Sequence, residues 1–146
     1  MDRFKGTYMH TLDQKKRMFI PAQFRKKLIG EEEKEFVVMK SPKPEKCLFI
    51  YPADEWEQIE MKLDEMEPGK DSRKKYRLVY SRIDVLNLDK QGRIALKDDF
   101  CLHALIEKDV MILGSGKRIE LWSPDEWNRM ADSSDEDDFD WNEIPW

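Results

Sequence analysis

The chain has 146 residues, enough for one domain of common size or two small intertwined halves, with 39% charged and 40% hydrophobic side chains. A mean hydropathy of −0.80, no apolar run near the roughly 20 residues of a membrane span and no apolar signal core in "MDRFKGTYMH" argue against a membrane protein and predict a cytoplasmic one. The net charge of −5 hides a division: residues 132–146, "DSSDEDDFDWNEIPW", hold seven acidic and no basic side chains, which leaves residues 1–131 at +2.

Residues 1–28 carry eight Lys or Arg against two Asp, a local +6. A strand over "GTYMHTL" runs into the polar turn "DQKK" and a second strand "RMFI", which is a hairpin signal. The helix "PAQFRKKLI" opens with Pro21 at a first helical position and sets Phe24 and Leu28 on one face. Strands "EFVVMK" and "CLFIY" follow, then a helix from about Pro52 to Met66. The basic stretch "KDSRKKYRLVYSR" supplies a linking helix. The order then repeats: strand "IDVLNL", turn "DKQG", strand "RIAL", a short helix, and strands "DVMILG" and "RIELW" joined by the Gly-rich turn "GSGK". Ser123 caps a closing helix with Pro124 in its first turn and Asp125 and Glu126 near its positive end.

This recurrence is a duplication. Setting Asp13 on Asp89, an offset of 76, brings Arg17 onto Arg93, Met18 onto Ile94, Ile20 onto Leu96 and Phe24 onto Phe100. Farther on, "LFIYPADEW" matches "IELWSPDEW", with Trp56 on Trp127 at an offset of 71; the loop "SPKPEK" absorbs the difference. The expected organisation is a first repeat at 1–69, a linking helix at 70–81, a second repeat at 82–131 and an acidic tail at 132–146. A unit this small has no sheet broad enough to bury both faces alone, so the two units should build one core by exchanging hairpins. Trp56 and Trp127 then fill one core position twice.

Little points to catalysis. Cys47 and Cys101 sit in apolar surroundings and read as buried reduced thiols rather than a disulfide. They and the isolated His10 and His103 are too few and too far apart for a metal site. Acid pairs such as Asp98 with Asp99 are expected by chance in so charged a chain, and no nucleophile with a base, no phosphate loop and no cofactor motif is present. The expectation is no enzyme, no cofactor and no small-molecule substrate.

In each turn an Asp opens the reversal and an Arg starts the outgoing strand. Asp13 and Asp89 suit a structural role, accepting backbone N–H bonds round the turn. Gly92 supplies positive φ, whereas Lys16 stands at the matching place in the first turn, which is then either differently shaped or strained by about 1 kcal/mol. Two readings of Arg17 and Arg93 stay open on the residues alone. Either they are guanidinium forks aimed at guanine edges or phosphates, or each pairs with its own turn Asp.

The two Asp-x-x-x-Arg turns together with the endings "LFIYPADEW" and "IELWSPDEW" resemble the MraZ family of bacterial regulators, over residues 4 to about 131. The resemblance implies an α+β, mainly β fold: a duplicated swapped-hairpin, AbrB-like β-barrel with short helices packed around it. It further implies a ring homo-oligomer that binds double-stranded DNA, at short repeats upstream of its own operon. There it acts as a repressor of the division and cell-wall gene cluster, cytoplasmic and nucleoid-associated. The family's DNA-contacting arginine falls on Arg17 and its counterpart on Arg93, the Asp on Asp13 and Asp89, and the motif glycine on Gly92 alone. Lys15, Lys16, Lys5 and Arg25 are expected to support the Arg17 turn. The acidic tail reads as a disordered solubilising extension, the alternative being Phe139, Trp141 and Trp146 anchoring it over the basic face. A rival for the whole chain is an oligomeric interaction scaffold that binds a protein partner.

Overall fold

The computed structural model describes residues 3–133 and 140–145. Phe139 and Trp146, two of the three aromatic residues of the anchored-tail reading, lie outside the described residues, while Trp141 stands in a short 3-10 turn, Trp141–Glu143.

Among the described residues, eight strands and five α-helices follow one another in two similar runs. The first holds β1 (Phe4–Thr11), β2 (Arg17–Phe19), α1 (Ala22–Ile29), β3 (Phe36–Lys40), β4 (Leu48–Tyr51) and α2 (Ala53–Asp64). After α3 (Lys70–Tyr80) come β5 (Ile83–Leu86), β6 (Arg93–Ala95), α4 (Asp98–His103), β7 (Asp109–Gly116), β8 (Ile119–Trp122) and α5 (Pro124–Ser133). The Ser123 hydroxyl accepts the Glu126 N–H at 3.4 Å at the start of α5.

The strand pairing shows an exchange between the two runs. A six-stranded antiparallel sheet has the order β1-β7-β8-β4-β3-β5, so the first strand of each run lies against the third strand of the other. The two second strands, β2 and β6, pair only with each other, as a separate two-stranded ribbon. The strands flanking each polar turn are therefore not hairpin partners, contrary to the expectation. Between the flanking strands each turn makes one backbone bond, Asp13 N–H to Arg17 O and Asp89 N–H to Arg93 O, both 2.9 Å, before the chain leaves for a different sheet. The sheet also does not close into a barrel. β1 and β5 are its free edges, because the strands that would bridge them have gone into the ribbon.

Period-two alternation covers both faces of this sheet. Phe36 and Val38 of β3, Leu48 and Ile50 of β4, Val110 and Ile112 of β7 and Ile119 and Leu121 of β8 enter one core, roofed by Met18 and Ile94 of the ribbon with Phe24 of α1 and Phe100 of α4. The intervening Val37, Phe49, Tyr51, Met111 and Trp122 enter a second core. Trp56 and Trp127 serve that second core at matching places: Trp56 lies 5.8 Å from Tyr51 and Trp127 5.3 Å from Trp122, both rings being offset by 71 positions. The buried carboxylate of Glu120 is satisfied by Arg118 at 2.8 Å and the Trp122 indole N–H at 3.0 Å. α3 is tied back on α2 by Tyr76 and Tyr80, whose hydroxyls donate to Asp64 and Glu60 at 2.6 Å.

The "GSGK" stretch differs from its expected role. β7 runs on through Gly116 and the reversal falls at Lys117 and Arg118. Gly114 lies inside the strand, opposite Gly6 of β1. A Cβ there would stand 2.3 Å from Lys5 N and 2.5 Å from Phe4 C, so this glycine admits a close approach of β1 rather than a turn. Both thiols are free and buried, and burial pushes Cys47 up to about 12, which leaves it a packing group. His103 reaches across to the first run, with its Nε2 3.2 Å from the buried Ser41 hydroxyl.

Candidate nucleic-acid interface

The two polar turns adopt one geometry. Asp13 Oδ1 accepts the backbone N–H groups of Lys15 and Arg17, each at 2.9 Å, and its Oδ2 accepts Arg17 Nε–H at 2.8 Å. Asp89 does the same with Gln91, Arg93 and Arg93 Nε at 2.9, 2.9 and 2.8 Å. Backbone donors from the following arginine, then the guanidinium itself, hold both carboxyls below the usual carboxylate range. Each Arg thus does pair with its own turn Asp. The pairing engages the Nε edge, and a guanidinium has further N–H donors on its two terminal nitrogens.

Lys16 resolves the doubt about the first turn. Its φ of 60° matches the 81° of Gly92, and both turns close through the same bond, Lys16 N–H to Asp13 O and Gly92 N–H to Asp89 O at 3.0 Å. The first turn therefore has the glycine shape with a lysine in it. What lies above each turn matches this difference. Arg25 of α1 covers Gly92, where a Cβ would stand 2.2 Å from its Nη1. At the offset of 76 the counterpart of Arg25 is Cys101, a small side chain whose thiol is raised by burial and lowered by the charge of Lys16. Lys16→Gly should release the left-handed strain for a net gain of roughly 0.5–1 kcal/mol, read as a higher denaturation midpoint at unchanged slope.

Cross-bonds fix the turns to each other through the ribbon. Leu96 N–H donates to Lys16 O at 2.9 Å and Ile20 N–H to Gly92 O at 3.1 Å. In the β2–β6 register Arg17 faces Ala95 and Phe19 faces Arg93, with Met18 opposite Ile94 between them. Since Met18 and Ile94 are buried, the alternating residues Arg17, Phe19, Arg93 and Ala95 form the outward face. Lys15 and Lys90 flank it on the exposed turns and Lys16 is half-buried.

The two arginines are not equivalent. Arg93 has 19% of its side chain exposed, pairs with Asp89, lies 4.0 Å from Asp13 and has its Cζ 5.8 Å from the Phe19 ring centroid. Arg17 is 32% exposed and opposite only a methyl group. Of the supporting cations, Lys15 and Lys16 lie on the first turn, but Arg25 belongs to the second, over Gly92. Lys5 is not brought to either turn: it faces Ser115, six residues or roughly 20 Å of strand before Thr11. Phe19 is the surface residue that sequence reasoning missed. The run Met18-Phe19-Ile20 is apolar throughout, and only the burial of Met18 and Ile20 marks Phe19 as outward.

Among the described residues no helix is long and apolar enough to cross a membrane, and no group of three or more His, Cys, Asp or Glu is placed to hold a metal ion. The family model of the MraZ protein matches residues 3–77 and 82–143. The transcriptional regulator MraZ of Alkaliphilus oremlandii is 39% identical over 142 residues, which is 97% of this chain and 93% of the relative. The one from Heliobacterium modesticaldum is 40% identical over 127 residues, or 86% of this chain and 85% of the relative. That of Caldanaerobacter subterraneus is 41% identical over 131 residues, 89% and 87% respectively. By family match and by these relatives across nearly its whole length, the chain belongs to the MraZ family.

Proposed function

We propose that the chain is a transcriptional regulator that binds double-stranded DNA through the outward face of the β2–β6 ribbon. The observation that carries this reading is the pair of Asp-braced turns, each holding an Arg at the start of one ribbon strand. A two-stranded ribbon fits the major groove, where a guanidinium fork can meet guanine O6 and N7. Lys15, Lys16 and Lys90 are placed for phosphates. The relatives' name, transcriptional regulator MraZ, agrees with this use. In the finer form of the proposal, a ring of copies engages short tandem repeats upstream of its own operon and represses the division and cell-wall genes. Several weak contacts then become strong binding through effective concentration.

The test is a titration against a duplex from just upstream of the chain's own gene and against a shuffled duplex, at several salt concentrations. Selective binding is expected, with each neutralised phosphate contributing about −0.9 to the slope of log K against log salt. Equal, weak binding to both would overturn the reading in favour of the interaction scaffold. One observation already favours contacts between copies: Met61, Leu78, Tyr80 and Val85, on α2, α3 and the edge strand β5, are exposed apolar side chains of the kind that interfaces cover.

A further inference from the structure

The two-fold relation between β2 and β6 is broken at one place on the outward face. At the offset of 76, Phe19 and Ala95 occupy equivalent positions, and each faces the arginine of the other strand. Ala95 leaves Arg17 uncovered. Phe19, 47% exposed, lies against Arg93. A single exposed ring is not unusual by itself; this one is singled out by its place on the outward face, opposite Arg93 and two residues from Arg17. Its neighbour is fixed in advance, because Arg93 is bonded to Asp89 at 2.8 Å and stands 4.0 Å from Asp13. A phenyl ring with two rotatable side-chain bonds, lying against an anchored cation, loses little freedom when it binds.

We infer that Phe19 is a specificity-determining residue that meets the 5-methyl group of a thymine in the major groove, beside a base contacted by Arg17. This rests on the DNA-binding reading above. Arg17 and Phe19 are two residues apart on one strand and point the same way, a spacing of roughly 6.6 Å. Two base steps along a strand of B-DNA span about 6.8 Å. A ribbon lying along the groove therefore sets the ring over a base about two steps from that of Arg17. The methyl group is the one apolar feature of the major-groove edge and accepts contacts from Phe. Arg93, covered by the ring and held by carboxylates, becomes a positioning residue rather than a second reader.

The experiment uses the full chain, the upstream duplex it binds, and versions of that duplex in which single thymines are replaced by deoxyuridine, which removes only the methyl group. Loss of one well-buried methyl should weaken wild-type binding about fourfold per engaged turn, at one thymine per repeat. Phe19→Ala should bind thymine and deoxyuridine forms alike while keeping its salt slope. Selective binding by wild type with no response to any deoxyuridine overturns the role of Phe19 and leaves the regulator reading in place. Absence of selective binding to the parent duplex overturns both. Persistence of the methyl response in Phe19→Ala, or a changed particle size of that variant in light scattering, also overturns it, the latter by assigning the ring to a contact between copies.

Discussion

Arg17→Ala should weaken binding to the upstream duplex roughly 5- to 150-fold for every engaged turn, which corresponds to about 1–3 kcal/mol. The variant is a clean probe because the turn does not depend on the guanidinium alone. Asp13 keeps the backbone N–H groups of Lys15 and Arg17, both at 2.9 Å, when the side chain is cut back. The cross-bond from Leu96 N–H to Lys16 O is also untouched. Loss of DNA affinity with an unchanged denaturation midpoint would therefore report contact with DNA rather than a damaged turn. If Arg17 reads a guanine, base preference at one position should relax while the salt slope changes little; if it holds a phosphate, the slope should fall by about one and preference should stay. Arg17→Lys keeps the charge but not the planar fork, so it should rescue the phosphate case and fail in the guanine case. Unchanged affinity and selectivity in Arg17→Ala would sink the assignment. Arg93→Ala should instead disturb the ribbon itself, because that side chain joins Asp89, Asp13 and Phe19.

Gly114→Ala should destabilise the fold by about 3 kcal/mol, at the upper end of what overpacking costs. For a chain of this size that lowers the thermal midpoint by roughly 6–12 °C. The cause is space rather than backbone conformation, since Gly114 is not among the residues of positive φ. The added methyl carbon would meet Lys5 N, Phe4 C and Lys5 Cα at 2.3, 2.5 and 2.8 Å, all of them backbone atoms that cannot swing aside. β1 must then lift from β7, withdrawing Phe4 from its edge-to-face contact with Phe24 at 5.4 Å. Gly116→Ala is the control. Gly116 has φ of +80° and nothing within 4 Å of the added carbon, so it carries only the conformational cost of about 1 kcal/mol. A Gly114→Ala loss no larger than that of Gly116→Ala, in calorimetry of both, would refute the close-approach account.

Much of this arrangement is written in residue spacing. The offset of 76 that aligns Asp13 with Asp89 also aligns two turns whose hydrogen bonds agree to within 0.1 Å. The element order followed from hydrophobic period and turn residues, and the partnership of Asp with Arg was one of two readings those residues allowed. Strand pairing was not legible in the same way. A polar turn between two apolar runs signals a hairpin whether or not the strands pair, and here they pair with strands of the other run, 44 to 112 positions away. Glycine is equally ambiguous on paper: Gly92 is needed for its φ and Gly114 for its missing side chain. Counting charges grouped Lys5 and Arg25 with Arg17, but charge number carries no direction. Strand β1 takes Lys5 away from the turn, and helix α1 takes Arg25 across to the other one.

The exchange of first strands also sets a timetable for synthesis. Phe4 pairs with Gly116, 112 positions later, and Thr11 with Asp109, 98 positions later. β5 needs no such wait, since Leu86 pairs with Phe36 only 50 positions before it. At about 5–20 residues per second, β1 spends roughly 5–20 s without its partner, because β7 emerges after every other described strand except β8. A neighbouring nascent chain on the same message offers an identical strand during that interval. The register that joins the two halves within one chain can therefore join two chains with no change in contacts.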